Sequence, residues 1–197
     1  MKHQQLIIEL AKNNNGVVTS RQIDELEIPR ACLKYLVDSN KLNRAMRGIY
    51  TLPDFWEDDM YYLQLRFTKG IFGLNTALFL HDLTDRTPMA FDMIFPNNYN
   101  ISNILSENVK VKRSVLRIHR LGVIEVKTQY GNTVNVYDEE RTLCDLLRPV
   151  NNVDIQVITD AYKQYFRRKS RNINKLIMYA KALHVEHKLR SYLEVLL

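Results

Sequence analysis

The chain has 197 residues, of which 46% are hydrophobic and 25% charged, and this composition excludes disorder over most of its length because disordered chains are poor in apolar residues. Its apolar runs, such as Ala77–Leu80, fall far short of the roughly 18 residues that a membrane helix needs, so we expect a soluble, cytoplasmic protein of one or two domains. The net charge of +6, from 28 basic and 22 acidic side chains, favours an anionic partner.

The first predicted elements are a helix, a short strand and a second helix. Apolar residues at helical spacing predict a helix over residues 1–13, and the Asn and Gly residues at 13–16 are typical of a helix end. Val17 and Val18 are long enough only for a short strand. A second helix then follows over residues 20–26, with Thr19 or Ser20 as its N-cap.

A third helix and a hairpin complete this region. Pro29 is suited to the first turn of a helix, and Leu33 and Leu36 give that helix a buried stripe. Residues 41–53 read as two strands around a basic tip, Arg44–Gly48. The order helix, strand, helix, helix, hairpin is that of a winged helix-turn-helix, which places its third helix in the major groove of duplex DNA.

The exposed side of the third helix and the tip of the wing are both basic. We therefore favour DNA binding over the alternative, a winged helix that contacts only proteins. The predicted DNA-binding residues are Arg30, Lys34 and Tyr35 in the major groove, Thr19, Ser20 and Arg21 on phosphate, and Arg44 and Arg47 in the wing.

Pro53-Asp54 marks the predicted boundary between a DNA-binding domain, residues 1–54, and a second domain, residues 55–197. Helices are expected at 55–66, 75–83, 139–147, 153–166, 173–183 and 185–196. Strands are expected at 91–96, 115–121, 123–129 and 133–137, the last two joined by Tyr130-Gly131-Asn132. The predicted fold class is α+β: an N-terminal winged helix-turn-helix, then a mixed domain with a small, mostly antiparallel sheet that ends in a helical bundle.

Most of the positive charge lies in the second domain. Residues 1–54 carry a net +2, residues 106–130 a net +4 and residues 151–197 a net +5. If the partner is nucleic acid, both domains are expected to touch it, although a solvated basic face is the alternative for each cluster. The second candidate surface, for phosphate contacts or a separate activity of the second domain, comprises Lys110, Lys112, Arg113, Arg117 and Arg120 and a second cluster of Arg167, Arg168, Lys169 and Arg171, near Lys175.

Enzymatic motifs are weak. The sequence has no phosphate-binding glycine loop and no nucleophile elbow. Glu125 and Lys127 resemble the E-x-K element of metal-dependent nucleases, and Asp92 would be the second carboxylate, but alternating strand polarity also explains this pair. Likewise, Glu139, Glu140 and Asp145 near Arg141 suit a helix cap with an ion pair. We predict no catalytic residue, no metal and no cofactor.

Three segments carry a resemblance to a known family. Gly16–Thr19 with Arg47–Tyr50, then Asn75–Asp85, then Val136–Asp145 occur in the order found in the AbiEi antitoxins, and the similarity spans nearly the whole chain. One departure is Asp82, where the family often has Gly.

The resemblance implies a function that periodicity does not give. AbiEi proteins are bacterial antitoxins of type IV toxin–antitoxin systems, encoded with a nucleotidyltransferase-like toxin in abortive phage defence. They repress their own operon by binding inverted repeats through the winged helix, and the second domain neutralises the toxin without a stable complex. The expected partners are therefore double-stranded operator DNA and such a toxin. The alternatives are a DNA-processing, nuclease-like enzyme and a ligand-sensing regulator with no toxin partner.

Overall fold

In the computed structural model, which describes residues 2–102, 104 and 108–196, the chain forms two compact units. The first contains the residues up to Thr68 together with Lys127–Thr133, and the second contains Lys69–Val126 and the residues from Val134 onward. The α+β fold class is confirmed, because helices and two sheets are both present.

The first unit begins as a winged helix. Its elements are α1 (Lys2–Asn13), β1 (Val17–Thr19), α2 (Ser20–Glu25), α3 (Ala31–Asp38), β2 (Asn43–Met46), β3 (Ile49–Thr51) and α4 (Asp59–Arg66). The three strands form an antiparallel sheet in the order β1-β3-β2. Ile7, Ile23 and Leu36 bring α1, α2 and α3 into one buried core behind this sheet. The predicted order of elements over residues 1–53 is thus confirmed.

The turn between α1 and β1 depends on a glycine. Gly16 has a φ of +78°, a conformation that side chains disfavour, and a Cβ added there would lie 2.2 Å from the ring of Phe55. The predicted helix stop is therefore also the site where the segment after the wing packs back onto the turn.

The first unit extends beyond the winged helix. Tyr62 of α4 packs with Val17 and Ile49 of the sheet, and the first unit continues to Thr68. The boundary of the DNA-binding domain at Pro53-Asp54 stays a prediction. The first segment of the first compact unit ends later in the chain, at Thr68, after α4.

A buried carboxylate connects Lys127–Thr133 to the rest of the first unit. Asp58, at the N-cap of α4, accepts hydrogen bonds from Tyr61 N at 3.1 Å, Thr128 Oγ1 at 2.5 Å and Asn132 Nδ2 at 2.8 Å. Asn15 Nδ2 in turn donates to Asn132 Oδ1 at 2.8 Å. Burying a carboxylate is costly unless hydrogen bonds satisfy it, so these donors hold the loop in place.

The second unit combines a sheet with a helical bundle. Its helices are α5 (Leu74–Leu80), α6 (Leu116–His119), α7 (Glu139–Leu146), α8 (Ile155–Arg167), α9 (Ile173–Ala182) and α10 (Glu186–Leu196), with a 3₁₀ turn at Pro149–Asn151. Its strands are β4 (Ile71–Phe72), β5 (Phe91–Pro96), β6 (Val109–Ser114), β7 (Val123–Lys127) and β8 (Thr133–Tyr137), in the order β6-β5-β4-β8-β7. Leu78, Leu143, Tyr162 and Leu176 bring α5, α7, α8 and α9 into one core.

Two predictions for this unit are wrong. The sheet is mixed rather than mostly antiparallel, because β5–β6 and β4–β8 are parallel and β4–β5 is antiparallel. Residues 115–121 do not form a strand: Leu116–His119 is a helical turn, and the strand is β6, just before it. Ile118 and Leu121 both pack against the bundle core, and their spacing of three residues puts them on one side of a helical turn, whereas it would put them on opposite faces of a strand.

Among the described residues, no helix has the length and apolar character required to cross a membrane.

Candidate nucleic-acid interface

The third helix presents a buried face and a solvent face. Leu33 and Leu36 of α3 are buried, whereas Lys34 is exposed and the Tyr35 side chain is 52% exposed. The helix begins at Ala31, slightly later than Pro29, and Arg30 is its N-cap residue. Arg30 therefore lies at the N-terminal end of α3, the end from which recognition helices contact base edges.

Arg30 forms an ion pair with Asp24 of α2. Its Nε donates to Asp24 Oδ1 at 2.8 Å and its Nη2 donates to Asp24 Oδ2 at 2.5 Å. The hydrogen bond from the guanidinium lowers the pKa of Asp24, and the same contact raises the pKa of Arg30. Both side chains are exposed, at 69% for Arg30 and 44% for Asp24.

Two of the three side chains predicted to contact phosphate at the start of α2 are accessible and not used to cap the helix. Thr19 is the N-cap, and its hydroxyl accepts from Gln22 N at 3.2 Å and donates to Gln22 Oε1 at 3.0 Å. This capping box uses the Thr19 side chain for the helix itself. Ser20 is half-buried and Arg21 is exposed, so these two side chains remain accessible to phosphate.

The wing lies against the start of α2. The Ser20 amide donates to Gly48 O at 2.9 Å, and Gly48 has a φ of +81° that allows the tight turn after Arg47. Arg44 and Arg47 are both exposed. The hydrogen bond brings the tip of the wing and the first turn of α2 together, so Arg21 and Arg47 lie on adjacent segments.

Tyr35 also borders a second feature. It lines a surface pocket of about 510 Å³ between α1 and α3, together with Ile8, Lys12 and Lys41. The contact of Tyr35 with the major groove of DNA stays a prediction, because Tyr35 lines this pocket and is also exposed to solvent.

The basic residues around β6 lie on an edge strand of the second sheet. Lys110 and Arg113 of β6 are exposed, as are Arg117 and Arg120 after it, and Lys112 is half-buried. Lys110 is paired in register with the buried Asp92 of β5. Burial raises the pKa of Asp92, and hydrogen bonds from Asn75 with the charges of Lys110 and Lys112 oppose that rise.

The second basic cluster is largely engaged within its own unit. Arg168 Nη1 lies 2.7 Å from Glu139 Oε1, and its Nη2 donates to the carbonyls of His81 and Asp82. Arg171 Nη1 donates to Phe166 O and Arg168 O, both at 3.1 Å. Lys175 Nζ lies between Asp138 and Glu140, at 3.1 and 3.2 Å. Arg167 and Lys169 are exposed and form no ion pair with another described residue.

Arg141 is the most deeply buried of these cations, at 1% exposure. Its Nε donates to Asp145 Oδ2 at 2.9 Å, its Nη1 donates to the carbonyls of Ile118 and Leu121 at 2.6 Å, and its guanidinium lies 4.2 Å from the Tyr137 ring centroid. The predicted ion pair near the start of α7 is thus confirmed, although the capping side chain is Asp138.

The suspected nuclease residues are not brought together. Asp92 lies on β5 and Glu125 on β7, with β4 and β8 between them. Because neighbouring strands are about 4.8 Å apart, the two positions are roughly 14 Å apart, too far for both to bind one metal ion at about 2 Å. Within the part of the chain that the structure describes, no three His, Cys, Asp or Glu side chains are grouped as metal ligands.

The sequence interpretation missed two carboxylates that organise the first unit. Neither Asp24 nor Asp58 was among the predicted site residues. The partner of Asp24 is six residues away in sequence, and Thr128 and Asn132, which donate to Asp58, are 70 and 74 residues away, so neither set of contacts follows from the pattern of one helix.

A solved structure is similar in fold to most of this chain, and a family model matches the winged helix of the first unit. The crystal structure of the RV2827C protein from Mycobacterium tuberculosis is similar to this chain with a TM-score of 0.60 and 14% identity, over 89% of this chain and 70% of that one. At this identity, the similarity concerns the fold. No curated protein matches the sequence. Residues 5–53 match the sequence model of a family described as "Transcriptional regulator, AbiEi antitoxin", so the resemblance to AbiEi antitoxins is confirmed over the winged helix.

Proposed function

We propose that this protein is an autoregulatory antitoxin. It represses its own operon by binding promoter inverted repeats through the winged helix, and it counteracts a nucleotidyltransferase-like toxin without forming a stable complex. The observation that carries the proposal is the cationic surface of the winged helix: Arg21, Lys34, Arg44 and Arg47 are exposed and unpaired among the described residues, within the segment that matches a regulator family.

This surface has the chemistry that duplex DNA requires. Phosphate contacts supply most of the affinity, because each contact releases condensed counterions, and Arg44 and Arg47 on the wing and Arg21 on α2 suit that role. Side chains at the start of a recognition helix read base edges, and Arg30 and Lys34 occupy those positions. The two roles make separate predictions, since phosphate contacts change affinity for every sequence and base contacts change preference.

The experiment is a gel shift of the full-length protein with a duplex from its own promoter region. We expect the double variant Arg30→Ala with Lys34→Ala to lose most of its affinity at moderate salt. The matched control is Lys181→Ala with Arg190→Ala, which removes the same charge from exposed positions of α9 and α10 and should bind as the wild type does. Equal affinity of both double variants would contradict the groove assignment.

The antitoxin activity is tested separately, with the full chain expressed from an unrelated promoter beside the neighbouring toxin gene. We expect growth to be restored both by the wild type and by the variant that lacks Arg30 and Lys34, because neutralisation is proposed for the second domain. Growth arrest in the presence of the wild type would contradict the antitoxin proposal. Rescue that depends on Arg30 and Lys34 would contradict the separation of roles.

A second candidate function, a ligand-sensing regulator, is favoured by a cleft in the second unit. This cleft, of about 470 Å³, lies between Thr84–Arg86 and α8, and its charged lining residues are three cations and two acids: Arg86, Lys163, Arg167, Asp85 and Asp160. Its size is in the range of small-molecule sites. If it binds an anionic regulator, ATP or inorganic phosphate should raise the melting temperature of the wild type but not of Arg167→Ala, and should change affinity for DNA.

A further inference from the structure

The paired arginine of the candidate interface differs from its neighbours. Of the predicted DNA-binding side chains, all of which lie in described parts of the chain, Arg30 is the one that forms an ion pair. Exposed ion pairs contribute little to stability because solvent screens them and side-chain entropy opposes them. Stability therefore gives no strong reason for an acid at position 24, whereas the geometry of the pair indicates another role.

The contact with Asp24 uses one particular edge of the guanidinium. Nε and Nη2 donate to the two carboxylate oxygens, so the pair is bidentate along the side of the fork. The opposite end of the fork, formed by Nη1 and the remaining N–H of Nη2, has two parallel donors that point away from Asp24. Two parallel donors match the O6 and N7 acceptors that guanine presents in the major groove, and no other base pair offers this pair of acceptors.

The backbone places this fork where base edges are read. Arg30 immediately precedes α3, and Asp24 belongs to α2, the helix before it. The connection turns sharply at Glu27, whose φ is +54°, and Pro29 further restricts the chain before Arg30. An exposed arginine normally loses rotamer freedom when it binds, and a side chain that is already held loses less.

We propose that Asp24 is a positioning residue that fixes the Arg30 guanidinium so that the winged helix selects a guanine in each half-site. This inference rests on the proposed DNA-binding function and specifies which base the winged helix recognises. The carboxylate also has an opposite effect, because its negative charge near the phosphate backbone weakens binding to every sequence. Asp24 thus lowers total affinity and raises discrimination, a combination that a purely structural residue would not produce.

The experiment uses the full-length protein and a pool of duplexes with a randomised central segment. After selection with the wild type, duplexes that carry guanine or adenine at each enriched position are compared at one salt concentration. We expect one guanine whose replacement by adenine weakens wild-type binding roughly tenfold or more. In Asp24→Asn, that ratio should fall to about two- to threefold, while affinity for an unrelated duplex should rise, because a negative charge is lost.

Two further variants separate position from charge. Glu25→Gln removes one negative charge from the next residue of α2, which is also exposed, and should leave the guanine preference unchanged. Arg30→Lys keeps the positive charge but lacks the planar fork, so its guanine preference should be weaker than that of the wild type while it retains most non-specific affinity. Thermal unfolding of each variant verifies that the protein is folded.

The outcomes distinguish this inference from the function on which it rests. If the wild type selects no duplex and binds none, the DNA-binding function is wrong. If the wild type selects sites and Asp24→Asn retains the same guanine-to-adenine ratio, the role of Asp24 is wrong and DNA binding stands. A guanine-to-adenine ratio in Arg30→Lys that equals the wild-type ratio would overturn the assignment of the Arg30 fork as the reader.

Discussion

Basic side chains have different fates in the two units. In the winged helix, Lys34 and Arg47 are exposed and form no ion pair with another described residue. In the helical bundle, Arg141 is buried, and Arg168 and Arg171 satisfy backbone carbonyls. The surplus of lysine and arginine is therefore accessible to solvent in the first unit, whereas much of it forms internal contacts in the bundle of the second.

The cause is the distribution of acids and of unsatisfied carbonyls around each cluster. Three carboxylates lie at the start of α7, where the helix dipole stabilises negative charge: Asp138, Glu139 and Glu140. They form ion pairs with Arg168 and Lys175, which follow α8. In the winged helix, Asp24 forms an ion pair with one cation, Arg30. The following predictions test whether the cations of the bundle stabilise the fold and the exposed cations of the winged helix do not.

The largest effect is expected at Arg141. Replacing it by Met removes one partner of a buried ion pair and leaves Asp145 without the Nε donor, so we expect the free energy of unfolding to fall by about 3–5 kcal/mol. Urea denaturation measures this change. The control is Arg120→Met, at an exposed position, with an expected change within about 0.5 kcal/mol. Similar values for the two variants would contradict the internal structural role of Arg141.

Arg168 provides a closely matched pair with its neighbour. Arg168→Ala loses the Glu139 contact and two carbonyl contacts, and because the pair is partly exposed to solvent we expect a loss of about 1–2 kcal/mol. Arg167→Ala removes the same charge from an exposed position, and its unfolding free energy should change by less than about 0.5 kcal/mol. A larger loss for Arg167 than for Arg168 would contradict the structural role.

At the wing, the effect should be on DNA rather than on stability. Arg47→Ala should weaken binding severalfold for all duplexes and reduce the slope of log K against log salt by about one unit. Titrations at several salt concentrations measure both quantities, with Arg168→Ala as the comparison. If Arg168→Ala changes the slope as much as Arg47→Ala does, the bundle cation contacts DNA and the distinction between the clusters is lost.

The smallest effect concerns pH. Burial, helped by the Asp138 carboxylate, raises the pKa of Tyr179 to about 12, whereas an unfolded tyrosine titrates near 10. Between these values the folded protein holds a proton that the unfolded chain has lost, so stability falls as pH rises from about 10 to 12. Tyr179→Phe should make this decline shallower. Denaturation curves at stepped pH measure this change.

Much of the winged helix could be predicted from the sequence because its signals are local. The stop at Gly16, the N-cap at Thr19 and the apolar spacing of Leu33 and Leu36 each act within a few residues. The second unit was harder, because the parallel pairing of β4 with β8 joins segments more than sixty residues apart. The helical turn at Leu116–His119 was missed because apolar and polar residues alternate over this short segment, a pattern that favours a strand.

The candidate site divides in the same way. The sequence identified which side chains of the winged helix are cationic and on which elements they lie, since composition and helical spacing specify both. The tertiary structure decided which cations are engaged: Arg30 with Asp24, and Arg168 with Glu139 and two carbonyls, while Arg47 stays exposed. The physical reason is distance, because charge is a property of a residue, whereas an ion pair or a hydrogen bond requires two groups within a few ångströms, and only the folded chain sets that separation.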